Sequence, residues 1–150
     1  MTTPQQTRSD AGLATALRIS VSRLARRLRA ERYTKGLEPD LSDTQLAALA
    51  ALERHGQMTP GELAGHEKVQ PPSMTRVIAV LAERGLVMRA PHATDGRQVV
   101  LSATEQGQAV VQQSRKLREA WLAQRLHDLS PQERATLRAA APILEKLSQS

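Results

Sequence analysis

One helix-start signature recurs four times along the chain: Ser or Thr followed three residues later by Glu or Gln, at Ser42/Gln45, Thr59/Glu62, Ser102/Glu105 and Ser130/Glu133. In such a capping box the hydroxyl accepts from a backbone N–H one turn on, and the longer side chain reaches back to the N–H of the cap. Two donors that a helix start would otherwise strand are thereby satisfied. Pro60 and Pro131 directly follow two of the caps, and proline suits the first helical position because its missing N–H would have no partner there. A chain of 150 residues with four such starts is built mainly of helices and fits one domain, residues 1–150. Its core has to be aliphatic, since Phe is absent and Trp121 and Tyr33 stand alone of their kinds. Leu, Val, Ala, Ile and Met favour packed helices over an aromatic-rich sandwich.

Without cysteine there is no disulfide, thiol nucleophile, redox switch or thiolate zinc site. No run approaches the roughly 20 apolar residues that span a bilayer, and the polar start lacks a secretory apolar stretch, so a cytoplasmic location is expected. The net charge is +6 with a pI near 10.7, which permits a polyanionic partner. Residues 1–37 carry +6, 38–70 carry −4, 71–101 carry +2 and 102–150 carry +2. Most of the positive charge is Arg, the better residue for forked bonding to phosphate or base edges.

A first helix over residues 10–35 carries Leu13, Leu17, Val21, Leu24 and Leu28 as one apolar stripe, with Arg18, Arg23, Arg26 and Arg29 on the other side. Gly36 and Pro39 end it. A second helix, from Ser42, buries Leu46, Leu49 and Leu52 and stops at Gly56. A short third helix, Pro60 to His66, is followed after a tight turn by a fourth that opens at Pro71-Pro72 and stops at Gly85. Its inward face holds Met74, Val77, Ile78 and Leu81. Two short helices joined by a tight turn make a helix-turn-helix. The period then changes: Leu86–Arg89 and Gln98–Leu101 read as strands joined by Asp95-Gly96 turn chemistry, which places a hairpin wing after the fourth helix. A long fifth helix over 103–128 is apolar around nearly half its circumference, and a sixth from Ser130 is expected to bury Leu137, Leu144 and Leu147 and to kink at Pro142. Residues 10–35 and 103–150 thus form a helical dimerisation region, and 42–101 a separate winged reading head.

In such a motif the second helix lies in the major groove and presents its N-terminal residues to base edges. Here Pro72, Ser73, Thr75 and Arg76 face outward. Free N–H groups at the helix start suit phosphate, Ser73 and Thr75 suit bases or phosphates, and Arg76 suits phosphate or guanine. Arg97, past the hairpin turn, is placed for a flanking minor groove, with Asp95 positioned to hold its guanidinium.

The order helix, helix, helix-turn-helix, wing, long helix, helix resembles the MarR family of bacterial transcription regulators over nearly the whole chain. The residues that carry the likeness are Leu41-Ser42-Asp43-Thr44-Gln45-Leu46, Ser73-Met74-Thr75-Arg76, the run Leu81-Ala82-Glu83-Arg84-Gly85-Leu86-Val87-Met88-Arg89, then Asp95-Gly96-Arg97 and Leu101-Ser102-Ala103-Thr104-Glu105-Gln106-Gly107. The resemblance implies a homodimeric repressor, occasionally an activator, that binds double-stranded DNA without a cofactor. Arg89, Asp95 and Gly96 would support the wing. It also implies a small anionic or phenolic effector held between the dimer helices and the reading heads, for which Tyr33 and Trp121 are the only aromatic candidates. Gly96 stands where many members carry a second basic residue, and the missing cysteine excludes the thiol-based peroxide sensors of the family.

Four rival readings make separate demands on the sequence. A hydrolase would need a nucleophile elbow, paired carboxylates or a phosphate loop near His55, His66, His92 or His127, and none is present. A metal site of those histidines lacks i, i+4 pairing. A protein-binding winged helix calls for an apolar recognition face where Ser73, Thr75 and Arg76 stand. An architectural, sequence-blind DNA binder shares the basic surface and differs only in its ratio of specific to non-specific affinity.

Overall fold

The computed structural model describes residues 4, 5, 7–34 and 41–150, without the side chains of 32–34. Six helices and an antiparallel hairpin follow in the order α1 (Asp10–Thr34), α2 (Asp43–His55), α3 (Pro60–Glu67), α4 (Pro71–Glu83), β1 (Val87–Pro91), β2 (Val99–Ala103), α5 (Glu105–His127) and α6 (Pro131–Ser148). The mainly helical winged architecture expected from the sequence is the one observed.

The helix starts show why. Ser42 Oγ accepts from the Gln45 N–H at 3.1 Å and Gln45 Oε1 from the Ser42 N–H at 2.9 Å, and Ser130 and Glu133 close the same box at 3.1 and 2.8 Å. Thr59 caps the Glu62 N–H at 3.2 Å and gives its own hydroxyl proton to the Glu62 carboxylate at 3.0 Å, so this box closes between side chains. The fourth box is corrected. Ser102 lies in β2 opposite Met88, and the cap of α5 is Thr104, whose Oγ1 accepts from the Gly107 N–H at 3.0 Å. Pairing of Val87 with Ala103 and donation from the Thr104 N–H to the Leu86 carbonyl at 3.0 Å keep the chain extended past Ser102.

The core belongs to the reading head. Leu49 and Leu52 of α2, Leu63 of α3, Met74, Ile78 and Leu81 of α4, and Leu86 and Leu101 at the root of the wing are all buried in one cluster, to which α5 adds Val111. Met58, between α2 and α3, pairs with Leu101 through two backbone bonds of 3.1 and 2.7 Å and fastens the wing root to the head.

The helices from the chain ends behave differently. No described residue of α1 or α6 is buried. Among the described residues helix α1 leans on α5, whereas α6 packs closely on no other element and only borders a shallow groove with α1. The expected burial of Leu137, Leu144 and Leu147 is therefore corrected: they are 46%, 40% and 58% exposed, and Leu144 and Leu147 line with Leu17 and Val21 of α1 an open groove that stays accessible to solvent. Leu13, Val21 and Leu24 of the α1 stripe are exposed in the same way. Helix α6 runs through Pro142 without ending there.

Candidate nucleic-acid interface

Helices α3 and α4 meet through a turn closed by Lys68, whose left-handed backbone (φ 53°) lets its N–H reach Gly65 O at 3.3 Å and the Val69 N–H reach Ala64 O at 3.0 Å. At the far end of α4 the same device uses Gly85 (φ 72°): the Leu86 N–H bonds Leu81 O at 2.9 Å and the Gly85 N–H bonds Ala82 O at 3.0 Å. Leu81 and Leu86 are both buried there. Helix α4 is thus fixed at both ends, and Met74, Val77 and Ile78 turn one face to the core while Pro72, Thr75 and Arg76 are exposed and Ser73 half-buried.

The start of α4 departs from expectation in one respect. Pro71 and Pro72 occupy its first two positions and Gln70 gives no side-chain cap, so Ser73 carries the only N–H of the first three helical residues. The free N–H groups expected there for phosphate are reduced accordingly. The prolines give rigidity instead. The Thr75 hydroxyl donates to Pro71 O at 3.0 Å and keeps its oxygen lone pairs for an outside donor.

In the wing, β1 and β2 pair from Val87 with Ala103 to Pro91 with Val99, and residues 92–98 form the tip. The His92 N–H bonds Gln98 O at 3.0 Å, and the Gln98 N–H bonds Asp95 O at 3.0 Å. Two expectations change here. Gly96 is not among the glycines with positive φ, so the turn does not depend on glycine there. Asp95 holds the backbone of Arg97, its Oδ1 accepting from the Arg97 N–H at 3.1 Å, and forms no ion pair with the guanidinium. The side chains of Arg76, Arg89 and Arg97 are exposed and form no hydrogen bond or ion pair with the described residues.

Sequence reasoning missed His92. Its ring Nδ1 accepts from the backbone N–H groups of Thr94 at 3.2 Å and Asp95 at 3.1 Å. The signal was present as a ring nitrogen two and three residues before unpaired loop donors, the place that Asp or Asn fills in an Asx turn. His55 and His66 meet edge-on at 4.8 Å, with Glu67 on His66 Nδ1 at 3.1 Å, and no group of three or more metal-ligating side chains occurs among the described residues.

Above the head, a cleft of about 390 Å³ opens between α1, α2 and α5, lined by Ala25, Leu28, Ala50, Val111 and Leu122 together with Arg29, Arg54, Arg115, Arg118 and Glu119. Arg115 pairs with Glu53 at 3.0 Å and Arg118 donates to Ser114 Oγ at 2.9 Å. Trp121 is not in this lining. It lies under the guanidinium carbons of Arg27 and Arg125, 5.4 and 4.9 Å from its ring centroid. The Tyr33 side chain lies outside the described residues.

Residues 41–99, from the start of the head to the first residue of β2, match the model of the MarR family. Mb0904 of Mycobacterium bovis, an HTH-type transcriptional regulator, is 50% identical over 91% of this chain and 92% of its own. The chain belongs to the MarR family. The HTH-type transcriptional repressor MdtR of Bacillus subtilis is 27% identical over 92% of this chain and 87% of its own. Among solved structures, the apo form of wild-type MarR from E. coli superposes with a TM-score of 0.72 at 26% identity, covering 90% of this chain and 96% of that one. As a MarR-family protein it is a winged helix-turn-helix transcriptional regulator, and no described helix is long and apolar enough to cross a membrane.

Proposed function

We propose that this MarR-family chain is a cytoplasmic homodimeric repressor that binds a pseudo-palindromic operator, with α4 of each head in a major groove and each wing beside a flanking minor groove. The observation that carries this reading is the pairing of a fixed helix with free cations: α4 is anchored by buried residues while Arg76 on its outer face and Arg97 on the wing keep their guanidinium donors for another molecule. The exposed leucines of α1 and α6 support the dimer, since two copies would cover apolar surface that one leaves in water. The repressor sense follows the name of the Bacillus subtilis relative.

Fluorescence anisotropy tests the reading. The protein is titrated against a labelled duplex from the region upstream of its own gene and against a scrambled duplex of equal length, at near-physiological salt. Preference of about a thousandfold or more for the upstream duplex is expected. Equal binding would favour the architectural reading, and no binding would favour a protein-binding winged helix.

The cleft between α1, α2 and α5 supports release by a small ligand. An apolar floor of Leu28, Val111 and Leu122 beside four arginines suits an aromatic carboxylate better than a neutral phenol, and it joins the dimer helices to the head. Benzoate-class anions are expected to raise the melting temperature and lower DNA affinity together, and Arg54→Ala to weaken both effects.

A further inference from the structure

The wing tip is a chain of backbone bonds that begins at one imidazole. His92 Nδ1 accepts from the N–H groups of Thr94 and Asp95 at 3.2 and 3.1 Å, and the Thr94 hydroxyl lies 3.3 Å from the same nitrogen. A backbone N–H can only donate, so Nδ1 is the acceptor and the ring proton sits on Nε2. Asp95, held in this way, uses its carboxylate to accept from the Arg97 N–H at 3.1 Å and its carbonyl to accept from the Gln98 N–H at 3.0 Å. The His92 N–H closes the loop on Gln98 O at 3.0 Å. Arg97, at the end of this relay, has an exposed side chain without a partner among the described residues.

Apart from the Asp95 carboxylate on the Arg97 N–H, His92 is the one side chain among the described residues that holds the tip backbone. Residues 93–99 are all exposed, so no packing fixes them, and Gly96 would leave the segment free to sample many backbone states. We infer that His92 is the positioning residue of the wing: through Thr94 and Asp95 its Nδ1 holds the 92–98 loop in the one backbone arrangement that presents Arg97 to DNA. The inference rests on the DNA-binding reading and adds to it a residue that does not itself touch the nucleic acid. His92 does for this loop what an Asx side chain does elsewhere, because Asn Oδ1 and His Nδ1 sit at the same distance along the side chain.

The test uses the full-length protein and the labelled duplex that binds it more tightly, comparing H92N, H92F, H92A, R97A and H92A/R97A by anisotropy. H92N keeps an acceptor at the right place and loses the ring, whereas H92F keeps a ring and loses the acceptor. The expected result is near-native affinity for H92N and a loss of about fivefold to tenfold for H92F and H92A, the scale of one or two lost hydrogen bonds. H92A should add little to R97A, because a residue that acts through Arg97 has nothing left to position once Arg97 is gone. Native-like binding by H92F and H92A, with R97A impaired, would overturn the role of His92 and leave the DNA-binding reading standing. Full additivity of H92A and R97A, or an H92N as weak as H92A, would likewise overturn it. An R97A that binds as tightly as the native protein would overturn the wing reading itself, and the inference with it.

Discussion

A guanidinium that meets no carboxylate or carbonyl among the described residues keeps its donors for another molecule, and Arg76 and Arg97 are both of this kind. They differ in their support. Arg76 stands on a helix fixed by Met74, Val77 and Ile78, so its position costs little to maintain, while Arg97 depends on the bonds of an exposed loop. Arg76→Ala is expected to weaken binding to every duplex and to lower the salt slope by about 1, whereas Ser73 or Thr75 substitutions should change which sequence is preferred. Salt titrations on specific and scrambled duplexes check this, and equal loss on both from all three substitutions would contradict it. Gly96 offers a gain. A Cβ there meets nothing, and its backbone is outside the left-handed region, so Gly96→Arg should leave the melting temperature unchanged and tighten DNA binding by roughly threefold to tenfold through one more phosphate contact. The arginines were legible in the sequence from their place in the motif. The acceptor role of His92 was not, since it follows from a loop conformation that residue type alone does not specify.

Between elements, the contact that matters most is where α5 begins. The Thr104 Oγ1 donates to Gly85 O at 2.6 Å and accepts from the Gly107 N–H at 3.0 Å, tying the end of α4, the start of the wing and the start of α5 into one corner. Gly107 lets the two backbones meet there, for a Cβ would overlap the carbonyl oxygen of Leu86 and crowd Leu49. Gly107→Ala is expected to destabilise the head by about 2–4 kcal/mol, measured by denaturant unfolding, because the obstructing atom is backbone and cannot swing aside. Lys68 presents the opposite case. As the one described non-glycine residue with positive φ, it carries strain at the helix-turn-helix corner, and Lys68→Gly should raise stability by up to about 1 kcal/mol in the same assay. The sequence marked Gly107 as part of a family motif but gave no reason for it. That reason is a close approach between Leu86 and Gly107, residues far apart in the chain, which no local pattern encodes.

For the whole molecule, the division of burial bears on the proposed dimer. One core lies in the head, while α1 and α6 contribute no buried residue among the described ones and expose Leu13, Val21, Leu24, Leu137, Ile143, Leu144 and Leu147. Removing α6 should therefore leave the head folded and take away part of the dimer surface. A chain ending at Leu129 is expected to sediment as monomer or aggregate, with helical circular dichroism reduced by little more than the lost helix. A well-behaved dimer of that chain would contradict the role given to α6. The cleft joins these two regions, and the pairs Arg115 with Glu53 and Arg29 with Asp43 (3.0 and 3.8 Å) link α5 and α1 to α2 across it. A ligand that spread or drew in this cleft would change the angle between head and dimer helices, which is the coordinate that sets the spacing of two recognition helices on DNA.

Local rules settled most of the elements. Ser42, Thr59 and Ser130 start helices wherever the chain is placed, Gly85 ends one, and the apolar spacing of α4 names its inward face, because capping and amphipathic burial act over one or two turns. The family likeness followed from the same stretches. Tertiary structure alone decided the rest: that Ser102 joins a strand and leaves Thr104 to cap α5, that Asp95 grips a backbone and not a guanidinium, and that His92 Nδ1 accepts from the Thr94 and Asp95 N–H groups. It also left the leucines of α6 uncovered within one chain. Each of these outcomes depends on which distant or looped groups compete for the same donor, acceptor or apolar surface, and that competition is settled only when the chain has closed on itself.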